Sequence, residues 1–313
     1  MTATAPATAL PTTATEFLGT KPVLFFVDDL AEGVPAAETA FHEVDPDRPQ
    51  IAITDLGPTR GDGVFETASV VNGHVQAFEN HLHRFAKSAA LLDLPAPKLD
   101  VWRAAIEAAV AAHAPVTQAS AKVIMTRGLE GVEVPTGWVY VTEVDPATVV
   151  GPRTEGIRVL VLDRGYRHDI AQTAPWLLQG AKTLSYGLNQ ATLRWAVDHG
   201  ADDAIFTTTD GFVLEGPHAS LVLKRGDTIV TPATDQGILE GTTQSSTFDF
   251  FEQEGFATEY RQVATPELAE ADALWLVSSV RMATPIVSLD GVARTADLDL
   301  TARLNAFLLS RTE

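Results

Sequence analysis

The chain has 313 residues, 45% of them hydrophobic, with a mean hydropathy of +0.07, enough apolar chain to bury a sizeable core. Its 41 acidic residues against 22 basic ones give a net charge of −19, which excludes a surface built to hold nucleic acid or an anionic membrane. The lack of cysteine excludes disulfides, a thiolate nucleophile and cysteine-ligated metals, and is compatible with a reducing cytoplasm.

Residues 1–20 are rich in Ala, Thr and Pro and nearly uncharged, which predicts a disordered tail. They lack the basic segment of a secretion signal, and no apolar run reaches the roughly 20 residues of a membrane span. A cytoplasmic protein without a membrane partner is therefore expected. Strands are predicted over 23–27 and 50–54, then over 64–71 and 74–78 around the hairpin pair Asn72-Gly73. A helix over 80–92 places Leu82, Phe85, Ala89 and Leu92 on one face, and a second helix covers 99–112. Strands over 121–126 and 137–141 complete a small α+β domain, residues 21–146. The turn-rich stretch at 145–152 marks a boundary, with residues 147–155 as linker and 156–313 as a larger α+β domain.

Beyond it come a strand at 157–162 and a helix over 185–199 closed by Gly200. Hairpins follow around Asp210-Gly211 and Arg225-Gly226-Asp227. A helix after Thr243, a strand over 273–278 and a short C-terminal helix finish the chain. Trp138, Trp195 and Trp275 sit in periodic apolar segments and read as core. Helices and antiparallel hairpins are mixed, which predicts an α+β fold rather than a doubly wound parallel sheet.

Lys182 stands between Ala181 and an apolar helix start. Burial would lower its pKa and leave a neutral amine able to form a Schiff base; the alternative is a snorkelling or ion-paired structural lysine. Downstream lie Glu215 in the hairpin segment Leu214-Glu215-Gly216 and a Gly241-Thr242-Thr243 turn opening a helix. Amine, carboxylate and anion cup are the three parts of a pyridoxal 5'-phosphate site. Gly61-Asp-Gly63 lacks the third glycine of a dinucleotide loop, because position 66 is glutamate. His81 and His83 have no further ligand at metal-binding spacing and read as part of a polar helix face.

Five segments together resemble the fold-type IV (class IV aminotransferase) family of pyridoxal phosphate enzymes: Gly61-Asp-Gly-Val-Phe-Glu-Thr67, His81-Leu-His-Arg84, Ala181-Lys-Thr-Leu-Ser-Tyr186, Gly211-Phe-Val-Leu-Glu-Gly216 and Gly237-Ile-Leu-Glu-Gly-Thr-Thr243. The resemblance spans about residues 50–290 and is greatest to the 4-amino-4-deoxychorismate lyase-like branch. It implies two α+β domains with the cofactor between them, and a homodimer whose sites are completed by the partner subunit. It gives Lys182 the role of Schiff-base lysine and Glu215 that of partner to the pyridine nitrogen. Arg84, Thr242 and Thr243 become phosphate ligands, with Ser279 near the phosphate. Leu239 would pack on the ring and Tyr186 stand near the lysine, or both be ordinary core.

The implied reaction converts 4-amino-4-deoxychorismate to 4-aminobenzoate and pyruvate for folate synthesis. The alternatives are a transaminase of D-amino acids, branched-chain amino acids or amines, and a catalytically silent scaffold. Departures bear on the substrate. Phe65 stands where D-amino-acid transaminases have tyrosine, and the loop 127–135 has no second arginine to make their carboxylate trap. Ser220 and Glu240 replace the asparagine and proline of many relatives, and in place of the missing trap Arg167 or Arg281 is a candidate carboxylate contact.

Overall fold

The computed structural model describes residues 20–35, 37–132 and 134–312; the expected tail lies outside them apart from Thr20. Strands β1 (Val23–Val27), β2 (Phe41–Val44), β3 (Gly63–Val71), β4 (His74–Val75), β5 (Gln118–Thr126) and β6 (Thr136–Glu143) form one antiparallel sheet in the order β2-β1-β6-β5-β3-β4. Asn72 and Gly73 turn β3 into β4 at φ 49° and 83°, as the Asn-Gly pair predicts. Helix α1 (Leu56–Arg60) precedes β3, and α2 (Phe78–Leu91) and α3 (Leu99–Ala112) cover one face of the sheet. Leu82, Phe85 and Ala89 of α2 are buried, and Phe85 meets Trp102 of α3 edge-on at 5.0 Å. Leu82 and Phe85 each contribute about 1.5–3 kcal/mol by leaving water.

The expected strand over 50–54 does not form. Ile53 is 90% exposed, so nothing rewards extension there, and the Asp55 carboxylate takes the Gly57 N–H at 2.8 Å to start α1 instead. The stretch read as a turn-rich linker is also different: it is helix α4 (Pro146–Glu155). Asp145 caps it by accepting from the Ala147 N–H at 2.9 Å, and Pro146 occupies the first turn, where a missing N–H costs nothing.

The remaining elements are β7 (Ile157–Asp163), α5 (Ile170–Thr173), α6 (Gly187–Asp198), β8 (Asp203–Thr207), β9 (Ser220–Arg225), β10 (Thr228–Pro232), α7 (Thr242–Gln253), β11 (Ala257–Arg261), α8 (Glu267–Glu270), β12 (Ala273–Ser278), β13 (Met282–Leu289), β14 (Val292–Ala293) and α9 (Leu298–Ser310). They build a second, mixed sheet ordered β11-β10-β9-β12-β13-β7-β8, with β14 paired to β13. Alternation divides its core. Trp275 and Val277 join Phe248, Phe251, Leu300 and Leu304 on the side of α7 and α9, while Leu274 and Leu276 join Leu221, Leu223 and Ile286 on the other. The fold is α+β, as expected. Strand β13 was not anticipated, because Pro285 interrupts its pattern. Of the three tryptophans read as core, Trp275 is fully buried and Trp138 is half-buried against Phe26. Trp195 is 54% exposed, because α6 turns only Ala196 fully inward.

Candidate active site

Strand β3 organises the site by period two. Val64, Glu66 and Ala68 point to the buried side, whereas Phe65 and Thr67 face a cavity of about 600 Å³. The Lys182 segment lies along the start of β3. The Phe65 N–H donates to the Lys182 carbonyl at 3.0 Å and the Leu184 N–H to the Gly63 carbonyl at 2.8 Å, while the Lys182 N–H reaches Ser88 Oγ at 3.1 Å. Gly63 permits this approach: a Cβ there would sit 2.7 Å from the Met125 carbonyl and 2.8 Å from Leu184 Cδ1. Lys182 Nζ is thereby held 4.5 Å from the centre of the Phe65 ring and 5.8 Å from that of Tyr186. Removal from water and the nearby Arg84 cation lower its pKa to about 8. Tyr186 stands edge-on to Phe65 at 5.1 Å and stacks on His218, also at 5.1 Å. Burial raises the Tyr186 phenol to about 12 and lowers His218 to about 4, so both are neutral near pH 7.

Glu215 faces the same cavity. Its backbone is tied to β8 by the Phe206 N–H donating to its carbonyl at 2.8 Å, and its Oε2 accepts from the Leu239 N–H at 3.3 Å. With no cation bonded to it among the described residues, burial raises its pKa to about 7. A carboxyl in that state is matched by a cationic partner such as a protonated pyridine nitrogen. Thr242 and Thr243 are the first residues of α7 after the N-cap Gly241, both buried, at the end where backbone N–H groups are free for an anion.

Arg84 is buried one turn after His81 on α2, and both reach Glu66. Arg84 Nε and Nη2 donate to the Glu66 carboxylate at 2.7 and 2.8 Å, and Nη1 donates to the Glu240 carbonyl at 2.8 Å. Hydrogens remain on both terminal nitrogens for the cavity that Arg84 lines. The paired arginine holds the Glu66 carboxyl far below the usual range, against the effect of burial.

The structure thus gathers Phe65, Arg84, Lys182, Tyr186, Glu215, Leu239, Thr242, Thr243, Ser279 and Arg281 around one cavity. Arg281 is partly engaged, its Nη2 2.6 Å from the buried Asp203. Arg167 is not part of the site: it is exposed and pairs with Asp169 and Asp210. His81 is buried against Glu66 rather than on a polar helix face, and no metal cluster occurs among the described residues. The residues fit pyridoxal 5'-phosphate, with a nucleophilic amine, an unpaired carboxyl and an anion cradle opening on one space.

Several lining residues escaped the sequence reading. Lys122 on β5 pairs in register with Thr67, faces the cavity and has no acidic partner among the described residues. Arg164 lies over the Phe206 ring at 4.2 Å and likewise has no carboxylate partner. Period two on β5, with Ala121 and Val123 buried, was the available signal for Lys122. Arg127, in contrast, is occupied by Asp62 and by the Leu92 and Asp93 carbonyls.

Comparison with known proteins agrees with this geometry. The family described as amino-transferase class IV matches residues 63–289. A bifunctional aminodeoxychorismate lyase / D-amino acid transaminase of Mycobacterium tuberculosis is 40% identical over 270 residues, covering 83% of this chain and 93% of its own. Among solved structures, a fold IV-transaminase from Curtobacterium pusillum superposes with a TM-score of 0.90 at 51% identity, covering 94% of this chain and 99% of its own. A hypothetical aminotransferase from Mycobacterium tuberculosis in its PLP-bound form gives a TM-score of 0.83 at 36% identity, covering 92% of this chain and 99% of its own.

Proposed function

The chain belongs to the class IV amino-transferase family, whose cofactor is pyridoxal 5'-phosphate, and we propose that it is a transaminase acting on a carboxylate-bearing primary amine. The observation that carries this reading is the pairing, within one cavity, of the Lys182 amine and Glu215 carboxyl with the unpaired cation of Lys122. When bound, the cofactor supplies an aldehyde that condenses with amines and a ring that accepts the electron pair left at the substrate's amino-bearing carbon. Arg84, Thr242, Thr243 and Ser279 would hold its phosphate, Leu239 its ring face and Glu215 its ring nitrogen. Lys182 Nζ is the base that takes the proton from the amino-bearing carbon. Phe65 and Tyr186 flank that nitrogen and keep water from it, and Lys122 receives the substrate carboxylate, with Arg164 and Arg281 on the same walls.

Mixing the holoenzyme with D- or L-amino acids and no acceptor tests this. About one equivalent of keto acid per site is expected from at least one donor, because a transaminase stops after its first half-reaction. No keto acid from any donor rejects the proposal.

The second reading is 4-amino-4-deoxychorismate lyase activity, the first choice on motif resemblance alone. It is supported by the 40% identity to a bifunctional relative, whose other activity, with the 51% identity to a fold IV-transaminase, supports the first reading. Both reactions begin with the same proton removal by Lys182. Release of 4-aminobenzoate and pyruvate from 4-amino-4-deoxychorismate identifies the lyase. We further propose a cytoplasmic homodimer; no described helix is long and apolar enough to cross a membrane.

A further inference from the structure

We propose that His81 is a positioning residue of the phosphate cradle and takes up a proton when the cofactor's phosphate arrives; this rests on the cofactor site argued above. His81 does not line the cavity but stands behind it, buried on α2. Its Nδ1 lies 2.7 Å from Glu66 Oε2. Glu66 is kept ionised by Arg84, and an ionised carboxylate only accepts, so Nδ1 carries a hydrogen. On the other side, Nε2 is 3.3 Å from both Thr242 Oγ1 and Ser279 Oγ. Those hydroxyls are 3.4 Å apart and do line the cavity.

In the free protein Nε2 accepts from one of these hydroxyls. The charged groups facing the ring are Glu66 on β3, Arg84 on α2 itself and Lys182 from the segment along β3, while Thr242 of α7 and Ser279 just after β12 offer only hydroxyls. Burial, with Arg84 and Lys182, lowers the imidazole pKa and keeps the ring neutral.

A dianionic phosphate alters both sides of this balance. It attracts the hydroxyl hydrogens, and turning both toward it leaves Nε2 a buried acceptor without a donor, at a cost of about 1–3 kcal/mol. Its charge also favours the imidazolium. Protonation at Nε2 meets both conditions: Nε2–H donates to the hydroxyl oxygens, and each hydroxyl donates onward to phosphate. Arg84 is already balanced by Glu66, so a protonated His81 adds positive charge directly behind the two hydroxyls.

Pyridoxine 5'-phosphate is the probe, because it carries ring and phosphate but an alcohol in place of the aldehyde, and so leaves the Lys182 amine unreacted. It is titrated calorimetrically into the full-length cofactor-free protein at about pH 8, where a phosphate monoester with a second pKa of about 6 is dianionic. Buffers of different ionisation enthalpy count the protons exchanged. Wild type should take up close to one proton per site (roughly) more than His81→Gln, whose amide keeps a donor near Nε2 but does not titrate. Equal uptake by the two proteins, with both binding, overturns the proposal while leaving the cofactor reading intact. Failure of wild type to bind at all overturns both. Should His81→Gln not fold, nitrogen NMR of the wild-type histidines decides. A neutral imidazole that becomes doubly protonated on ligand addition, and is missing in His81→Asn, upholds the proposal; no such change overturns it.

Discussion

The chemistry of Lys182 depends on where its proton sits. With a pKa of about 8, roughly one amine in ten is neutral at pH 7, against about one in three thousand for a lysine at its ordinary value. Because the pKa is lowered, the reactive form grows as pH rises toward 8 and is saturated above it. Capture of the cofactor's aldehyde by the cofactor-free protein should therefore speed up about tenfold per pH unit below pH 7 and level off above about pH 9. Absorbance followed after rapid mixing measures this, and a midpoint near 10 would mean that the amine is not desolvated. Lys182→Ala should lower turnover by at least about 10²–10⁴-fold, the usual contribution of a general base. Cofactor should remain bound through Arg84 and α7. Lys122 acts on binding instead. A charge-assisted hydrogen bond contributes about 1.5–3 kcal/mol, so Lys122→Ala should raise KM for carboxylate substrates roughly 10–100-fold and change kcat little. Lys122→Arg should restore part of the loss. An unchanged KM would place the carboxylate elsewhere, at Arg164 or Arg281.

At the level of elements, β3 decides most of the site, and its two faces explain what could be read from sequence. Apolar periodicity located β3, α2 and α3 almost residue for residue, because their burial follows a simple repeat. Lys182, Glu215 and the start of α7, to which the proposed function gives the cofactor, stood out through local motifs. Glu66 did not: it rejected a dinucleotide loop and stood within the 61–67 motif without a role, although period two places it with Val64 and Ala68 on the buried face. A carboxylate there demands cations, and His81 and Arg84 at one-turn spacing answer that demand. Period two could place Lys122 on the open face of β5, but that neither it nor Arg164 has an acidic partner among the described residues is a fact of the three-dimensional arrangement. The union of β3 with the lysine segment has its own test. Gly63→Ala inserts a methyl against backbone atoms of β5, 2.7 Å from the Met125 carbonyl and 2.9 Å from Thr126 Cα, which cannot turn aside as a side chain would. A loss of about 1–3 kcal/mol in urea unfolding is expected, with weaker cofactor binding as the Lys182 segment is displaced. Unchanged stability would mean that the two strands separate without cost.

For the whole molecule, the outstanding feature is a helix that buries almost nothing. In α6 only Ala196 is fully inside, whereas Leu188, Ala191 and Trp195 follow one another at three- and four-residue steps along an exposed stripe. Val197 on the same helix and Trp176 nearby in sequence are 65% and 73% exposed. A chain carrying a net charge of −19 repels its own copies, so a second copy needs an apolar seam of this kind to bind against that repulsion. The seam also adjoins the chemistry, because Asn189 and Gln190 in the first turn of α6 line the cavity beside Tyr186. Burying α6 against a second copy would fix those residues and narrow the opening. Sedimentation velocity should therefore find a dimer for the wild type, tightened by added salt as like-charge repulsion is screened. Trp195→Glu should weaken it by at least about 2 kcal/mol, roughly thirtyfold in the dissociation constant, since a central tryptophan is a typical interface anchor. Activity per chain should fall in step with dissociation and recover at high protein concentration. A wild-type monomer with full activity would separate the exposed stripe from both assembly and catalysis.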